Sequence, residues 1–264
     1  MISVDDADRV RLITFRRPEA RNAFDTAMYG AVADALDEAA TRDDLAVVVL
    51  TGEGTAYSAG QDLGEMGRLG DPSRRDEVQG EVAEHGFRKF IAAIEEFPKP
   101  IVAAVNGVAV GVGTTMLPYC DIVLVSETAR FRLPFASLGV VPEAGSSFTL
   151  PAVMGWQAAA HALFTADWFG AEAAVASGLA RKVCAPDALL DEALELARAI
   201  AKMPIVSLVG TKLLLLATRL EAARAARARE EDMFRDLTGA PANREAVAAF
   251  LEKREADFTN LPAE

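Results

Sequence analysis

The stretch Ile101 to Val125 reads IVAAVNGVAVGVGTTMLPYCDIVLV. Two short apolar runs, Ile101 to Val105 and Asp121 to Val125, flank a loop of glycine and small residues. A continuous apolar run of strand length, without alternation, is what a strand buried on both faces requires. Ala46 to Leu50 (AVVVL) repeats the pattern upstream, and Val10 to Phe15 (VRLITF) supplies a first strand. Helical patterns lie between them. Asp25 is placed to cap a helix carrying Met28, Val32, Leu36 and Ala39, and Glu81 to Phe97 is helical up to an FPKP turn. Strands alternating with helices predict an α/β core with right-handed crossovers.

Beyond Gly145 the pattern turns mostly helical. Helices are expected at Trp156 to Phe164, Ala171 to Ser177 and Asp187 to Lys202, with a short strand at Leu179 to Val183. After Pro204 one long helix is expected from Ile205 to about Arg235, then a last one from Asn243 to Asp257. This divides the chain into a core over residues 1–200 and a helical region over 201–264. Such helices either pack on a neighbouring subunit or fold back on their own core.

At 264 residues and 51% apolar, the chain can bury one large core. A net charge of −12 argues against nucleic acid or an anionic membrane as a partner, though not against a small anion held by a few local groups. Cys120 and Cys184 read as buried, reduced thiols. His85 and His161 are too few and too far apart in sequence for a metal site. The N-terminal MISVDDADRV lacks a secretory h-region, NLPAE is no peroxisomal signal, and no apolar run has membrane-spanning length. The expectation is a cytoplasmic protein.

The segment Pro134 to Ser147, PFASLGVVPEAGSS, presents one carboxylate, Glu143, among small and apolar neighbours. Gly139, Pro142 and Gly145 shape it as a turn. Desolvation there should raise the Glu143 pKa and make it a better base. Two loops follow buried strands and lead toward helix starts, YSAGQD and GVGTT. Backbone N–H groups at such places suit a developing negative oxygen, and the candidate donors are those of Ala59 and Val112. Gly111 and Gly113 are read as letting that backbone approach a ligand. Asp62 reads as fixing its loop, and Glu53 and Glu65 as solvated charges. Ser58, Ser146 and Ser147 have no histidine placed to activate them. His85 and Phe87 read first as packing, and Pro118 should end its short helix early.

The run AVNGVAVGVGTTMLPYCDIVLVSETARFRLPFASLGVVPEAGSS resembles the crotonase superfamily, the enoyl-CoA hydratase/isomerase family. RRPEARNAF, LTGEGTAYSAGQDL and FLEKREADF extend the resemblance over nearly the whole chain in the right order. It implies a spiral of ββα units with a C-terminal helical trimerisation region, a trimer or dimer of trimers, and an acyl-CoA thioester as substrate. No separate cofactor or metal is implied, since coenzyme A is part of the substrate. It further implies an oxyanion hole from Ala59 and Val112. The CoA site it implies comprises Arg21, Ala23, Ala59, Gly60, Gln61, Asp62, Leu63 and Gly111, completed by Phe250 and Lys253 of a neighbouring subunit.

The family's hydratases use two glutamates, and at the matching positions this chain has Thr115 and Phe135. The two-glutamate mechanism is therefore absent. Glu143 instead matches the single catalytic glutamate of the subgroup typified by peroxisomal Δ3,Δ2-enoyl-CoA isomerases. The expected activity is that isomerisation. The alternatives are another reaction of the family, such as hydration, or a silent acyl-CoA-binding protein.

Overall fold

A computed structural model describes residues 1–62, Gly64 and 83–261, with side chains in the second range from residue 86 onward. Strands β1 (Ile2–Ala7) and β2 (Val10–Phe15) form an antiparallel pair that leads into helix α1 (Thr26–Thr41). Asp25 caps that helix through the Met28 N–H at 2.8 Å, as its sequence position suggested. There follow β3 (Val47–Gly52), β4 (Ala56–Ser58) and α2 (Ala83–Glu95), then β5 (Ile101–Val105), β6 (Val108–Val110) and α3 (Val112–Thr115). A third unit comprises β7 (Ile122–Ser126), β8 (Arg130–Arg132) and α4 (Ser146–Met154). Three consecutive ββα units are the expected spiral.

In each unit the first strand joins a large sheet and the second a small one. The large sheet runs β1-β2-β3-β5-β7-β10, with β10 at Lys182–Cys184, and every pairing beyond β1–β2 is parallel. The small sheet runs β4-β6-β8-β9, with β9 at Phe169–Gly170. Its first three strands are parallel. The switch between sheets is abrupt. A Cβ on Gly52 would lie 2.3 Å from the Ala56 carbonyl oxygen, and one on Gly107 only 2.0 Å from that of Thr55.

The large sheet buries both faces, which is why its strands show no alternation. Val48, Leu50, Ile101, Ala103 and Val105 face one core; Val47, Val49, Val102 and Ala104 face another. The second core is closed by helix α7 (Leu189–Ala201) through Leu189, Ala193, Ala197 and Ala201. Before it come α5 (Trp156–Thr165) and α6 (Ala171–Ser177).

The single long helix expected after Pro204 is two: α8 (Ile205–Ala217) and α9 (Leu220–Leu237). One local contact and one remote contact mark the break. Thr218 Oγ1 donates back to the Leu215 carbonyl at 2.8 Å, and the Arg219 side chain reaches the Pro118 carbonyl at 2.5 Å. The turn lets α9 pack on α4. Helix α10 (Pro241–Glu252) starts and ends earlier than expected, and packs on the loop before Glu143. Asn243 Nδ2 donates to the Leu138 carbonyl there at 2.8 Å. The C-terminal helices thus fold back on their own core. Cys120 and Cys184 are buried free thiols.

Candidate active site

Strands β4, β6 and β8 are parallel neighbours, so the loops after them leave the small sheet at one end. In parallel α/β architectures that end is where ligands meet the chain. The first loop carries Ala59 to Asp62, the second Gly111 to Thr115, and the third runs from Leu133 to Gly145 and carries Glu143.

The first two loops touch through glycine. Gly60 has φ +91°, and a Cβ there would lie 2.7 Å from the Val110 carbonyl oxygen. A Cβ on Gly113 would lie 2.6 Å from that of Ser58. Gly113 therefore serves contact between loops, not the approach of a ligand expected for it. Gly111 does fit that expectation: nothing lies within 4 Å of where its Cβ would stand, and its φ of +52° favours glycine.

The second loop meets the third through one hydrogen bond. Thr115 Oγ1 donates to Glu143 Oε1 at 2.6 Å. The residue Glu143 is half-buried, but its Oε2 is buried and has no hydrogen-bond partner among the described residues. Burial pushes the Glu143 carboxyl up to about 8; the Thr115 bond works against this, and the nearby Glu230 charge adds to it. The raised value expected from the small and apolar surroundings is present. Phe135, at the other position where a hydratase of the family carries a glutamate, is buried in the core.

The two expected backbone donors differ. Val112 begins α3, and among the described residues its N–H has no acceptor. The Ala59 N–H, by contrast, donates to the Arg21 carbonyl at 2.9 Å. That contact corrects the expectation for Ala59, whose donor is spent in holding the Arg21 turn. In the same loop the Gly60 N–H goes to Ser58 Oγ at 3.1 Å and the Asp62 N–H to the Phe24 carbonyl at 2.9 Å. Gln61 lies between them in a parallel bridge to Phe24, made through the Gly60 carbonyl and the Asp62 N–H. Its own N–H is thereby turned away from Phe24. The Gln61 side chain is fixed separately, accepting from Tyr29 Oη at 2.9 Å.

The remaining site candidates divide into two groups. Arg21 is exposed with φ +51°, Ala23 is buried, and both adjoin the first loop. Arg17 binds the Ala23 carbonyl at 2.7 Å and Asp62 at 2.9 Å, so Asp62 fixes its loop as expected. Glu53 is paired with Arg16 at 2.8 Å and is more than a solvated charge. Phe250, 60% exposed, and Lys253, exposed with φ +56°, sit at the end of α10. Among the described residues no hydrogen bond or ion pair joins either side chain to the three loops. Residues 64 to 80, polar and Gly-containing, read from sequence as a loop or lid; all of them but Gly64, Glu65 included, together with Leu63 and the His85 side chain, lie outside the described residues. Pro118 begins a 3-10 turn, Leu117–Tyr119, directly after the four-residue helix α3, as its early end required. Among the described residues no group of three or more His, Cys, Asp or Glu is arranged to hold a metal.

Thr115 was legible only as a missing carboxylate, and its bond to Glu143 spans 28 residues that no local pattern links.

Comparison with known proteins agrees with this architecture. The family model described as enoyl-CoA hydratase/isomerase matches residues 5–261. The 2,3-dehydroadipyl-CoA hydratase of Escherichia coli is 33% identical over 97% of both chains. Human enoyl-CoA delta isomerase 2 is 32% identical over 95% of this chain and 63% of that protein. Among solved structures, an enoyl-CoA hydratase/isomerase from Pseudoalteromonas atlantica is 36% identical. It superposes with a TM-score of 0.89 over 98% of this chain and 99% of that one. With ββα units, parallel-strand loops and full-length relatives in agreement, the chain belongs to the enoyl-CoA hydratase/isomerase family of the crotonase superfamily.

Proposed function

We propose that the protein is a Δ3,Δ2-enoyl-CoA isomerase in which Glu143 carries one proton between two carbons. The observation that carries this reading is the Glu143 carboxyl, raised to about 8, whose partner is Thr115 at a position where the family's hydratases hold a glutamate. In a 3-enoyl thioester the C2 proton is acidified by the carbonyl and by the neighbouring alkene. Ionised Glu143 takes that proton, and the electron pair moves through the thioester to its oxygen, giving a dienolate. The protonated carboxyl then returns the proton at C4, and the double bond settles between C2 and C3. Glu143 ends as it began, and no water or electron acceptor is consumed. A pKa near the working pH suits a group that must both take and give.

The dienolate oxygen is assigned to the N–H of Val112 and the N–H of Gln61, the latter in place of Ala59. Removing one such donor typically costs about 2.7–4 kcal/mol of barrier. Arg21, Ala23, Gly60, Gln61, Asp62, Leu63 and Gly111 are assigned to the CoA moiety, with Phe250 and Lys253 contributed by a neighbouring subunit. The test is turnover of 3-hexenoyl-CoA beside 2-hexenoyl-CoA, following the absorbance of the conjugated thioester. Growth with the first and a steady signal with the second is the expected result. Similarity to a 2,3-dehydroadipyl-CoA hydratase favours hydration as the second reading, and a falling signal with 2-hexenoyl-CoA would establish it instead. Silence with both, while CoA thioesters still bind, would point to a binding protein.

A further inference from the structure

Glu143 lies two residues before Gly145, the N-cap of α4, and its carbonyl accepts the Ser146 N–H at 3.0 Å. A helix start offers free N–H groups and a positive end, the natural partners of an adjacent carboxylate. Here those groups go elsewhere. The Gly145 N–H donates to Glu230 Oε2 at 2.6 Å, and the Ser147 N–H donates to Glu230 Oε1 at 2.7 Å. Glu230 belongs to α9, 85 positions along the chain from Gly145, and is only 4% exposed. Among the described residues Glu143 is left with the Thr115 hydroxyl on one oxygen and nothing on the other.

We infer that Glu230 is a positioning residue for Glu143, holding the catalytic loop through the start of α4 and keeping that helix's donors from the Glu143 carboxylate. The inference rests on the reading of Glu143 as the base. Other charged and titratable groups around the loop leave this role to Glu230. Tyr119, from the turn after α3, donates its hydroxyl to the Ala144 carbonyl. Arg227, also on α9, is committed to Glu95 of α2 at 3.1 Å. The Glu230 charge is one cause of the raised Glu143 value, so its removal should let Glu143 ionise more easily.

The experiment compares thermal melting across pH for the unaltered protein, E143Q, E230Q and the double variant. The melting difference between E143Q and the unaltered protein follows the ionisation of Glu143 and needs no turnover. The difference should grow above pH 4.5 and level off at the midpoint of Glu143 ionisation in the folded protein, near 8, and roughly one unit lower in the E230Q background. The pH profile of kcat/KM for E230Q should move the same way, with a lower kcat. An unmoved midpoint overturns the inference. A moved midpoint in a protein inactive on 3-enoyl-CoA retires the isomerase reading and leaves the role of Glu230 standing. Should E230Q not fold, E230D retains the charge but withdraws it from the helix start. It should keep the midpoint and lose at least about tenfold in kcat through misplacement of the base. Undiminished kcat in E230D would remove the positioning role.

Discussion

Because burial raises the Glu143 carboxyl to about 8, its ionisation falls inside the range where an assay can follow it. In the proposed reaction the ionised form is the base, so kcat/KM should climb as pH rises through about 8 and level off above it. Stability runs the opposite way. The folded value lies above the ordinary 4.5, so folding favours the protonated carboxyl. That contribution is complete below about 4.5 and is lost as pH rises through about 8. E143Q, which cannot ionise, should therefore match the unaltered protein in acid and melt higher at pH 9, while turnover falls by about 10²–10⁴-fold. Calorimetry across pH beside the enoyl-CoA assay checks both, and equal melting at every pH would mean that the carboxyl is solvated. Thr115→Val removes the one donor to the carboxylate among the described residues. It should raise the midpoint by about one unit, lowering turnover at pH 7 roughly tenfold and much less above pH 9. A pH profile superimposable on that of the unaltered protein would deny Thr115 this part. At this scale the raised carboxyl was legible and its surroundings only partly so. Proline and glycine around Glu143 mark a shaped turn, whereas Thr115, Glu230 and the bridge that occupies the Ala59 loop depend on contacts between distant segments.

At the scale of elements, the buried parallel strands were readable because two covered faces leave no room for polar alternation. Their partners in the small sheet were not. β4, β6 and β8 are three residues each, and β8 reads RFR, too short and too mixed to declare a strand. The edge strand β1 carries acidic residues in its exposed second half, and it too went unread. The division of the long helix into α8 and α9 depends on Arg219 reaching Pro118, again a remote contact. Helix α8 is tied to the start of the strand β7 by an ion pair whose lysine is buried and whose aspartate reaches solvent. Lys212, 4% exposed, meets both oxygens of Asp121 at 2.7 and 2.6 Å, and Asp121 also accepts the Ile101 N–H at 2.7 Å. Removing one member of such a pair leaves the other charge without its partner. Because Asp121 reaches solvent, Lys212→Ala should destabilise the protein by only about 1 kcal/mol, read as a lower midpoint in urea, and K212M should cost less because it refills the space. Equal stability of K212A and the parent would show that water takes the place of the ammonium.

On the scale of the whole molecule, the C-terminal helices bury only one side each. Glu230 and Ala226 of α9 face inward, and α10 holds the Leu138 turn, but apolar side chains remain on the outside. Val206 is 79% exposed, Leu214 75%, Leu251 74% and Phe250 60%. With the proposed function, exposed apolar side chains of this kind are what an association face would use. The assignment of Phe250 and Lys253 to a neighbour's CoA site makes the same demand from the side of function. Light scattering should therefore give three or six times the 28.1 kDa of one chain. Val206→Glu combined with Leu214→Glu should lower that mass by placing charge where contact is needed. If the neighbour completes the CoA site, the same variant should bind CoA thioesters at least about tenfold more weakly, which corresponds to about 1.4 kcal/mol. The Glu143 midpoint should stay where it is, because Thr115, Glu143 and Glu230 all come from one chain. A monomer that binds CoA thioesters with full affinity would place the whole site in a single subunit and leave Phe250 and Lys253 outside it.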